Sequence, residues 1–525
     1  MVWNSSTKWI GSLFSGLGLF SLLFTPSFFA AADSTTHRLA PGIQYIQEIT
    51  NGKSPLIINI LRIDIKTRGI RLQMGQAHDV VSITGPYQGR EVVHSMAARH
   101  HAIAAVNADF FPFTGDPLGI AIRDGELISE PSGYRACLGI TKNNKILLNV
   151  LITLGEFTVS DGSKFNIDGI NRVPHSGDCI VLTPTFTALP KADKNGYIVE
   201  LTDVKLPVKL SQSVQGKVAS IAPVDSGEQI PQTHDGSVQI VALGAAANQL
   251  TQLCKRGDEV SFRFDVVANS APLVKGHYDT SSLTQNSPPA HSIWQHVTQA
   301  VGGGPLLVKD GEIAVDGEAE GFSKLDFIDK RHPRTAAGVD KNGLLLLVAV
   351  DGRSKGSQGA SLGEMAAIMK RLGAVQAMNL DGGGSTTMVV DSLVVNAPSD
   401  GQERPVADGL LIMSDAVVSK ASHSYSLAIN KEVCPKNIVV NAGDQIHFQV
   451  MDADKKVIEA GKIIWGTEDG VGFVSQSGVF TGTRQGKGVV AAYVHGKKIH
   501  VTVQIGGAAV SPDAPAAQKD PDSLK

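Results

Sequence analysis

The residues best suited to chemistry are concentrated in the segment Met378–Thr386, where an apolar stretch runs directly into Asp381, three glycines and two hydroxyl side chains. Glycines let the backbone turn with positive φ and let a ligand approach it closely. Successive N–H groups in such a turn form an anion-binding nest. The pattern therefore predicts a site for an anionic group beside Asp381, with five further candidate residues: Gly382, Gly383, Gly384, Ser385 and Thr386.

A second acid, Asp351, follows an apolar run at 344–350, just as Asp381 follows one at 375–380. Between the two runs, 361–372 has the apolar spacing of a helix. Strand, helix and strand in this order predict a βαβ unit whose two strands run parallel. Ligands bind beyond the carboxyl ends of such strands, so both acids are expected at one sheet edge.

A cation is expected at the same edge. Asn342-Gly343 is typical of a two-residue hairpin turn, and counting outward from it places Arg334 opposite Asp351. A slip of one residue would turn the side chains to the other face. Together with Arg353, these residues would suit a phosphate attached to a group that is cleaved. The sequence favours Asp381 as the catalytic carboxylate, with Asp351 orienting Arg334 or acting as partner base.

Each of these residues also has a purely structural interpretation that competes with the catalytic one. Asp-Gly after a strand is most often a turn, which would explain Asp351 alone, and Arg334 alone would be a surface ion pair. Glu364 is explained by a capping box with Ser361, so we do not predict a catalytic role for it. The two glycine runs, Gly302–Gly304 and Gly382–Gly384, are not followed by Lys-Ser/Thr, which excludes a P-loop.

Hard oxygen ligands for Ca²⁺ or Mg²⁺ are present at Asn107, Asp109, Asp351 and Asp381. Asn107 follows a predicted strand at 102–106 and joins the site if that strand lies in the same sheet. The four positions have no metal-specific spacing. The sequence therefore predicts no cofactor, with a metal-assisted phosphoesterase kept as a minor alternative.

Composition narrows the class of protein. The 525 residues carry 47 basic and 50 acidic side chains, a net charge of −3, without a strongly basic segment, so nucleic-acid binding is not expected. The 55 glycines and few aromatics favour strands and tight turns. We predict an α+β catalytic domain, a mixed sheet with helices that includes the βαβ unit, followed by a small all-β sandwich.

The predicted domain boundaries follow from local composition. Residues 1–32 have a basic flank, an apolar core and small residues at the end, which predicts an export signal and a secreted or cell-envelope location; an uncleaved anchor is the alternative. Residues 41–416 form the catalytic domain, and 425–506 contain only strand-like runs. The Gly-Val-Phe-Thr-Gly at 478–482 resembles bacterial immunoglobulin-like group 2 domains. Residues 507–525 are predicted to be disordered.

The four cysteines lie far apart without a CxxC pair, which argues against a structural zinc site. A disulfide between Cys137 and Cys179 and isolated buried thiols both remain open.

The chain from about Pro41 to Ser414 resembles the phosphodiester glycosidase family. The resemblance rests on segments that occur in the family's order: 104–111, Gly119 with Asp124-Gly125, 301–305, 331–335, 350–353 and 379–386. Where the family usually has Asn-Gly before an aromatic pair, this chain has Asn107-Ala108-Asp109, a departure at this turn.

The resemblance implies an exported hydrolase that cleaves the bond between a sugar's anomeric carbon and phosphate. It also adds Asn107 and Thr335 to the expected substrate-binding residues. Arg334, Arg353 and the glycine loop would stabilise the departing phosphate. Expected partners are a phosphoglycan or sugar-phosphodiester substrate and a wall or surface glycan contacted by the immunoglobulin-like domain. The alternative is an envelope glycan-binding protein without catalytic activity.

Overall fold

The computed structural model describes residues 33–81, 89–112, 114–268, 293–416, 424–468 and 471–506. The predicted export signal at 1–32 and tail at 507–525 lie outside these residues. Within the described ranges, no helix combines the length and apolar character needed to cross a membrane.

The N-terminal part contains a hairpin around Asn51-Gly52, a dipeptide that predicts a hairpin turn between two apolar runs. In this hairpin Ile43 pairs with Ile63 and Thr50 with Leu56. The elements in this part are β1 (Asp33–Ala40), β2 (Ile43–Thr50), β3 (Leu56–Ile63), β4 (Ile70–Gln76), α1 (Val93–Arg99) and β5 (Ala104–Asn107).

In the middle of the chain, 121–268, the regular elements are strands except for one helix, α2. Its elements are β6 (Ala121–Arg123), β7 (Glu126–Ser129), β8 (Ala136–Thr141), β9 (Ile146–Val159), β10 (Lys164–Ile167), β11 (Gly169–Ile170), β12 (Cys179–Leu182), β13 (Gly196–Thr202), β14 (Val214–Val224), β15 (Val238–Leu243), α2 (Ala245–Leu253) and β16 (Glu259–Ala268).

The part that contains most predicted site residues follows. Its elements are β17 (Val297–Gly302), β18 (Leu306–Lys309), β19 (Glu312–Ile313), β20 (Arg334–Asp340), β21 (Leu345–Val350), α3 (Leu362–Arg371), β22 (Ala374–Asn379), β23 (Met388–Val390), β24 (Leu393–Val394) and β25 (Asp408–Ser414). The predicted capping box is confirmed: the Ser361 hydroxyl accepts the Glu364 N–H, and the Glu364 carboxylate accepts the Ser361 N–H.

In the described ranges 424–468 and 471–506, the regular elements are strands apart from one short helical turn, Ala460–Lys462. Its strands are β26 (Tyr425–Ile429), β27 (Glu432–Val433), β28 (Asn437–Asn441), β29 (Gln445–Asp452), β30 (Ile463–Glu468), β31 (Gly472–Val474), β32 (Val479–Gly482), β33 (Gly486–Val494) and β34 (Lys497–Gly506). The boundaries of the predicted domains stay predictions.

The strands form four sheets among the described residues. An eight-stranded sheet has the order β1-β2-β3-β21-β20-β22-β18-β19, and a nine-stranded sheet has the order β28-β34-β33-β30-β24-β23-β5-β25-β4. The strands β6 to β17 build a twelve-stranded sheet, and β27-β26-β29-β32-β31 form the smallest one. Since β30 pairs with β24, strands of the C-terminal part continue a sheet begun by the preceding part.

The predicted α+β class with a βαβ unit is wrong. The described residues are 48% strand and 10% helix, so the structure is mostly β. The strands β21 and β22 flank α3 as expected but do not pair with each other, because β20 lies between them and is antiparallel to both. The error arose because sequence periodicity gives each element's type but not which strand inserts between two others.

The predicted register of the hairpin β20–β21 is also wrong by one residue: Arg334 lies opposite Val350 and not opposite Asp351. The physical reason is the loop, in which the Asp340 carboxylate accepts N–H groups from both Asn342 and Leu344. This side-chain turn widens the predicted two-residue connection to three residues.

Candidate active site

The loop after β22 is held from two sides at Asp381. The Asp381 N–H donates to the carbonyl of Ala108 at 2.8 Å, and the Asn107 side-chain amide donates to the carbonyl of Asp381 at 2.7 Å. One residue earlier, the N–H of Leu380 donates to the carbonyl of Thr335 at 2.8 Å. These bonds join the ends of β5, β20 and β22, although β5 belongs to a different sheet from the other two.

Asn107 is the centre of this junction. It is fully buried, and its Oδ1 accepts the Thr335 hydroxyl at 2.8 Å and the Thr387 N–H at 3.1 Å. A buried amide with these partners fixes the backbone around it. The structure therefore places Asn107 and Thr335, both predicted to bind substrate, where they support Asp381.

The glycine loop lies against three arginines, one at each glycine. A Cβ atom added to Gly382 would lie 3.8 Å from the Arg334 Cδ, one on Gly383 would lie 3.2 Å from the Arg353 Nη2, and one on Gly384 would lie 2.1 Å from the Arg404 Nη2. We call Arg334, Arg353 and Arg404 the three-arginine cluster. Since a larger residue at 384 would displace a guanidinium, the glycines are needed for this close approach.

The cluster is only partly neutralised. Asp400 Oδ2 accepts from Arg404 Nε at 2.9 Å and Nη2 at 2.7 Å, while its Oδ1 lies 3.9 Å from Arg353 Nη1. Burial and the nearby charge of Arg353 lower the pKa of Arg334 to about 9. Burial also lowers the pKa of Arg353, and Arg404 adds to the effect. Crowded cations that share one carboxylate favour an incoming anion.

Asp381 faces this positive region from a partly buried position. Burial raises the pKa of its carboxyl, and the Ser385 side chain, the charge of Arg404 and the Gly382 N–H act in the opposite direction. Its Oδ1 accepts the Gly382 N–H at 2.8 Å. A partly buried carboxyl whose pKa is raised by desolvation and lowered by a nearby cation is a candidate acid, base or nucleophile.

A second acid, Asp109, is buried next to this loop. Its carboxylate accepts N–H groups from Phe110 at 2.7 Å and Gly119 at 2.6 Å, and its own N–H donates to Asp408 at 2.8 Å. Burial raises the pKa of Asp109 to about 7, opposed by Arg135 and supported by the charge of Asp381. Burial and the charge of Asp109 raise the pKa of Asp408 well above its usual value.

Asp351 lies apart from the three-arginine cluster. Its side chain is 1% exposed, its Oδ1 accepts the Ala397 N–H at 3.1 Å, and its Oδ2 has no hydrogen-bond partner among the described residues. Burial raises its pKa to about 7. The structure thus brings together Asp381, Arg334, Arg353 and the glycine loop, but it turns Asp351 towards the chain segment that leads to Asp400.

Sequence reasoning missed four charged residues that the fold brings to the site: Arg135, Asp400, Arg404 and Asp408. The segment Pro398-Ser-Asp-Gly401 has the composition of a turn. A charged turn so close in sequence to the glycine loop could have indicated that Asp400 and Arg404 belong to the site. The burial of Arg135 and Asp408 depends on long-range packing, which no local pattern reports.

The described residues contain no group of three or more His, Cys, Asp or Glu side chains placed to hold a metal ion. All four cysteines are free thiols, and Cys137 and Cys179 are buried.

Comparison with known proteins points to one family. The family model of phosphodiester glycosidases matches residues 221–413. An N-acetylglucosamine-1-phosphodiester alpha-N-acetylglucosaminidase of Bos taurus is 29% identical over 135 residues, 26% of this chain and 25% of that protein. The SPbeta prophage-derived uncharacterized protein YomE of Bacillus subtilis (strain 168) is 40% identical over 85 residues, 16% of this chain and 13% of that protein.

The chain thus covers a quarter or less of the length of these two relatives. A hypothetical protein from Synechocystis has a similar crystal structure, with a TM-score of 0.59 at 23% identity over 73% of this chain and 64% of that one. This likeness supports the fold. The family model places a phosphodiester glycosidase domain at residues 221–413, which include Asp381 and the whole three-arginine cluster.

Proposed function

We propose that this protein hydrolyses the bond between the anomeric carbon of a sugar and the phosphate of a phosphodiester. The sugar is released, and a phosphomonoester remains on the other alcohol. The observation that carries the proposal is the glycine loop Gly382–Gly384, which meets a different arginine at each glycine beside Asp381. The bovine relative supports the substrate class, since its name describes a glycosidase of a sugar-1-phosphodiester.

The charge changes of the reaction match the cluster. When the C1–O bond breaks, its electron pair stays on the phosphate oxygen, so the leaving group gains one negative charge while the sugar becomes an oxocarbenium-like cation. Guanidinium groups of Arg334, Arg353 and Arg404 stabilise the departing phosphate. Phosphate is a good leaving group, which reduces the need for a strong general acid.

The carboxyl groups act on the sugar side. Asp381, beside the glycine loop, stabilises or attacks the anomeric centre. Asp109 is the second carboxyl of the pair and takes the proton of the attacking water, which places a hydroxyl on C1. Asp351, the partner that the sequence favoured, holds the Ala397 N–H instead and positions the segment that carries Asp400.

The proposal also includes export of the protein and contact between its C-terminal part and a glycan. Export through residues 1–32 and glycan contact through 425–506 are supported by sequence pattern alone. N-terminal sequencing of protein recovered from outside the cell would test export. A mature chain that still begins at residue 1 would contradict signal cleavage.

The bond that breaks can be identified directly. A sugar-1-(4-nitrophenyl phosphate) cleaved at C1–O gives 4-nitrophenyl phosphate, which becomes coloured only after a phosphatase is added. Hydrolysis in ¹⁸O-water should place the label in the sugar. Colour without phosphatase, or label in the phosphate, would indicate a phosphoesterase. An absence of hydrolysis together with glycan binding would indicate a non-catalytic envelope protein.

A further inference from the structure

Arg334 is fully buried, and among the described residues no acid lies within ion-pair distance of it, although the charge of Asp381 raises its pKa. Its Nε donates to the carbonyl of Ala360 at 2.9 Å, and its Nη2 donates to the carbonyls of Lys330, at 3.1 Å, and Phe327. Its Nη1 has no hydrogen-bond partner in the described part of the chain. A buried guanidinium with neutral acceptors and one spare donor keeps its positive charge available.

An aromatic ring takes the place of a carboxylate. The Cζ of Arg334 lies 4.7 Å from the centroid of the Phe327 ring. Phe327 in turn stacks on Phe322, with centroids 4.6 Å apart and an interplanar angle of 17°. On the far side, the Cζ of Arg135 lies 4.7 Å from the centroid of Phe322. Two arginines therefore flank one stacked aromatic pair.

Residues 317–330, which we call the aromatic segment, carry both rings and are firmly attached to the fold. The Phe322 N–H donates to the carbonyl of Gly317 at 2.8 Å. Glu320 accepts N–H groups from Leu306 at 2.7 Å and Ala136 at 2.8 Å. At the tip, a short π-helical turn, Lys324–Ile328, places Phe327 against Arg334 while Leu325 is 77% exposed.

We propose that Phe327 is a positioning residue, which holds the Arg334 guanidinium by its aromatic face so that the charge and the free Nη1 donor serve an incoming phosphate. A carboxylate in the same place would neutralise the charge before the substrate arrived. An aromatic face attracts the cation without cancelling it. The proposal rests on the proposed function in treating Arg334 as a phosphate-binding group, but anion binding can be measured without turnover.

The test compares Phe327→Leu with Phe327→Tyr in the full chain, using inorganic phosphate as the probe and titration calorimetry as the measurement. Leucine keeps apolar bulk but removes the ring, so phosphate should bind about 2- to 30-fold more weakly. Tyrosine keeps the aromatic face and should bind phosphate nearly as well as wild type. Leu325→Ala, a change at the exposed tip of the same turn, is the matched control.

A merely structural role predicts a different pattern. Thermal unfolding of each variant separates loss of fold from loss of affinity, and Arg334→Ala gives the affinity without the guanidinium. Equal phosphate affinity for Phe327→Leu and wild type, while Arg334→Ala is weakened, would overturn the positioning role and leave the proposed function intact. Weakened binding in Phe327→Leu without any sugar-phosphodiester hydrolysis by wild type would support positioning and overturn the function. A wild type that does not bind phosphate would overturn the positioning role, whereas the proposed function is decided by the hydrolysis assay.

Discussion

The backbone N–H of Asp381 donates a hydrogen bond to the carbonyl of Ala108 at 2.8 Å, and this bond sets Asp381 beside Asp109. The two acids follow strands of different sheets and are 272 positions apart in the chain, yet the charge of Asp381 helps to raise the pKa of Asp109. A pair of carboxyl groups is the arrangement that most glycoside hydrolases use.

The first prediction concerns these two carboxyls. We expect Asp381→Asn and Asp109→Asn each to lower kcat for a sugar-1-phosphodiester by about 10²- to 10⁴-fold, because each removes a group that moves a proton or stabilises charge at the anomeric carbon. The measurement is steady-state kinetics with the phosphatase-coupled substrate. Asp415→Asn, an exposed carboxylate paired with Arg71, is the control and should match wild type. Wild-type kcat in Asp109→Asn would remove Asp109 from the mechanism.

A second prediction uses the packing of the glycine loop. Gly384→Ala should lower kcat/KM by about 10- to 100-fold through a rise in KM, because hydrogen bonds to charged groups contribute about 1.5–3 kcal/mol and the new methyl group displaces a guanidinium. The atoms it would meet are Arg404 Nη2 at 2.1 Å and Asp400 Oδ2 at 2.2 Å, the ends of flexible side chains. Unfolding by urea should therefore change little.

The control for this change is Gly363→Ala in α3, where the nearest atom to the added Cβ would be Ser361 Oγ at 4.0 Å. Both substitutions add one methyl group, but only the first one reaches the three-arginine cluster. If Gly384→Ala kept the wild-type KM, the cluster would not be the phosphate site.

Local patterns predicted the local structure well. The hairpin at Asn51-Gly52 and the capping box of α3 follow from turn and cap chemistry within a few residues, and both are confirmed. The predicted βαβ unit is absent, but β21 and β22 share a direction because both are antiparallel to β20. Asp351 and Asp381 accordingly follow strands that point to the same end of the sheet.

What the sequence could not supply depends on contacts between distant segments. One residue of register decides which way a side chain faces, and a three-residue loop in place of a two-residue loop contributed to the misplacement of Asp351. Arg404 reaches the glycine loop only because the segment after β24 folds back onto it. Sequence periodicity does not indicate such a long-range contact. Residue types identify the chemistry, whereas the partners of each charge come from tertiary packing.

A third prediction separates fold from function in α3. Ser361→Ala should lower the free energy of unfolding by about 1 kcal/mol, because the first turn of the helix loses a side-chain acceptor for the Glu364 N–H. The kinetics should stay at wild-type values, since neither residue contacts the three-arginine cluster. Urea unfolding measures the loss, and Ser361→Thr should recover most of it. A large fall in kcat with unchanged stability would instead assign this helix end to the site.

A fourth prediction follows from the burial of Asp351. Its pKa is raised from 3.8 to about 7 in the folded protein, so between these values the folded chain keeps a proton that the unfolded chain has lost. Stability must then fall as pH rises through that window, because the unfolded state binds fewer protons than the folded state. The destabilisation is complete above the folded pKa and absent below the unfolded one.

Asp351→Asn should remove this contribution, since asparagine stays neutral at every pH in the range. Relative to wild type, the variant should gain stability on the order of 2 kcal/mol between pH 5 and pH 8. Other buried acids contribute equally to both proteins and cancel in the difference. Urea unfolding at several pH values measures it, with Asp415→Asn expected to follow wild type. A difference that did not change with pH would mean that Asp351 is ionised, with a cationic or polar partner, throughout the range.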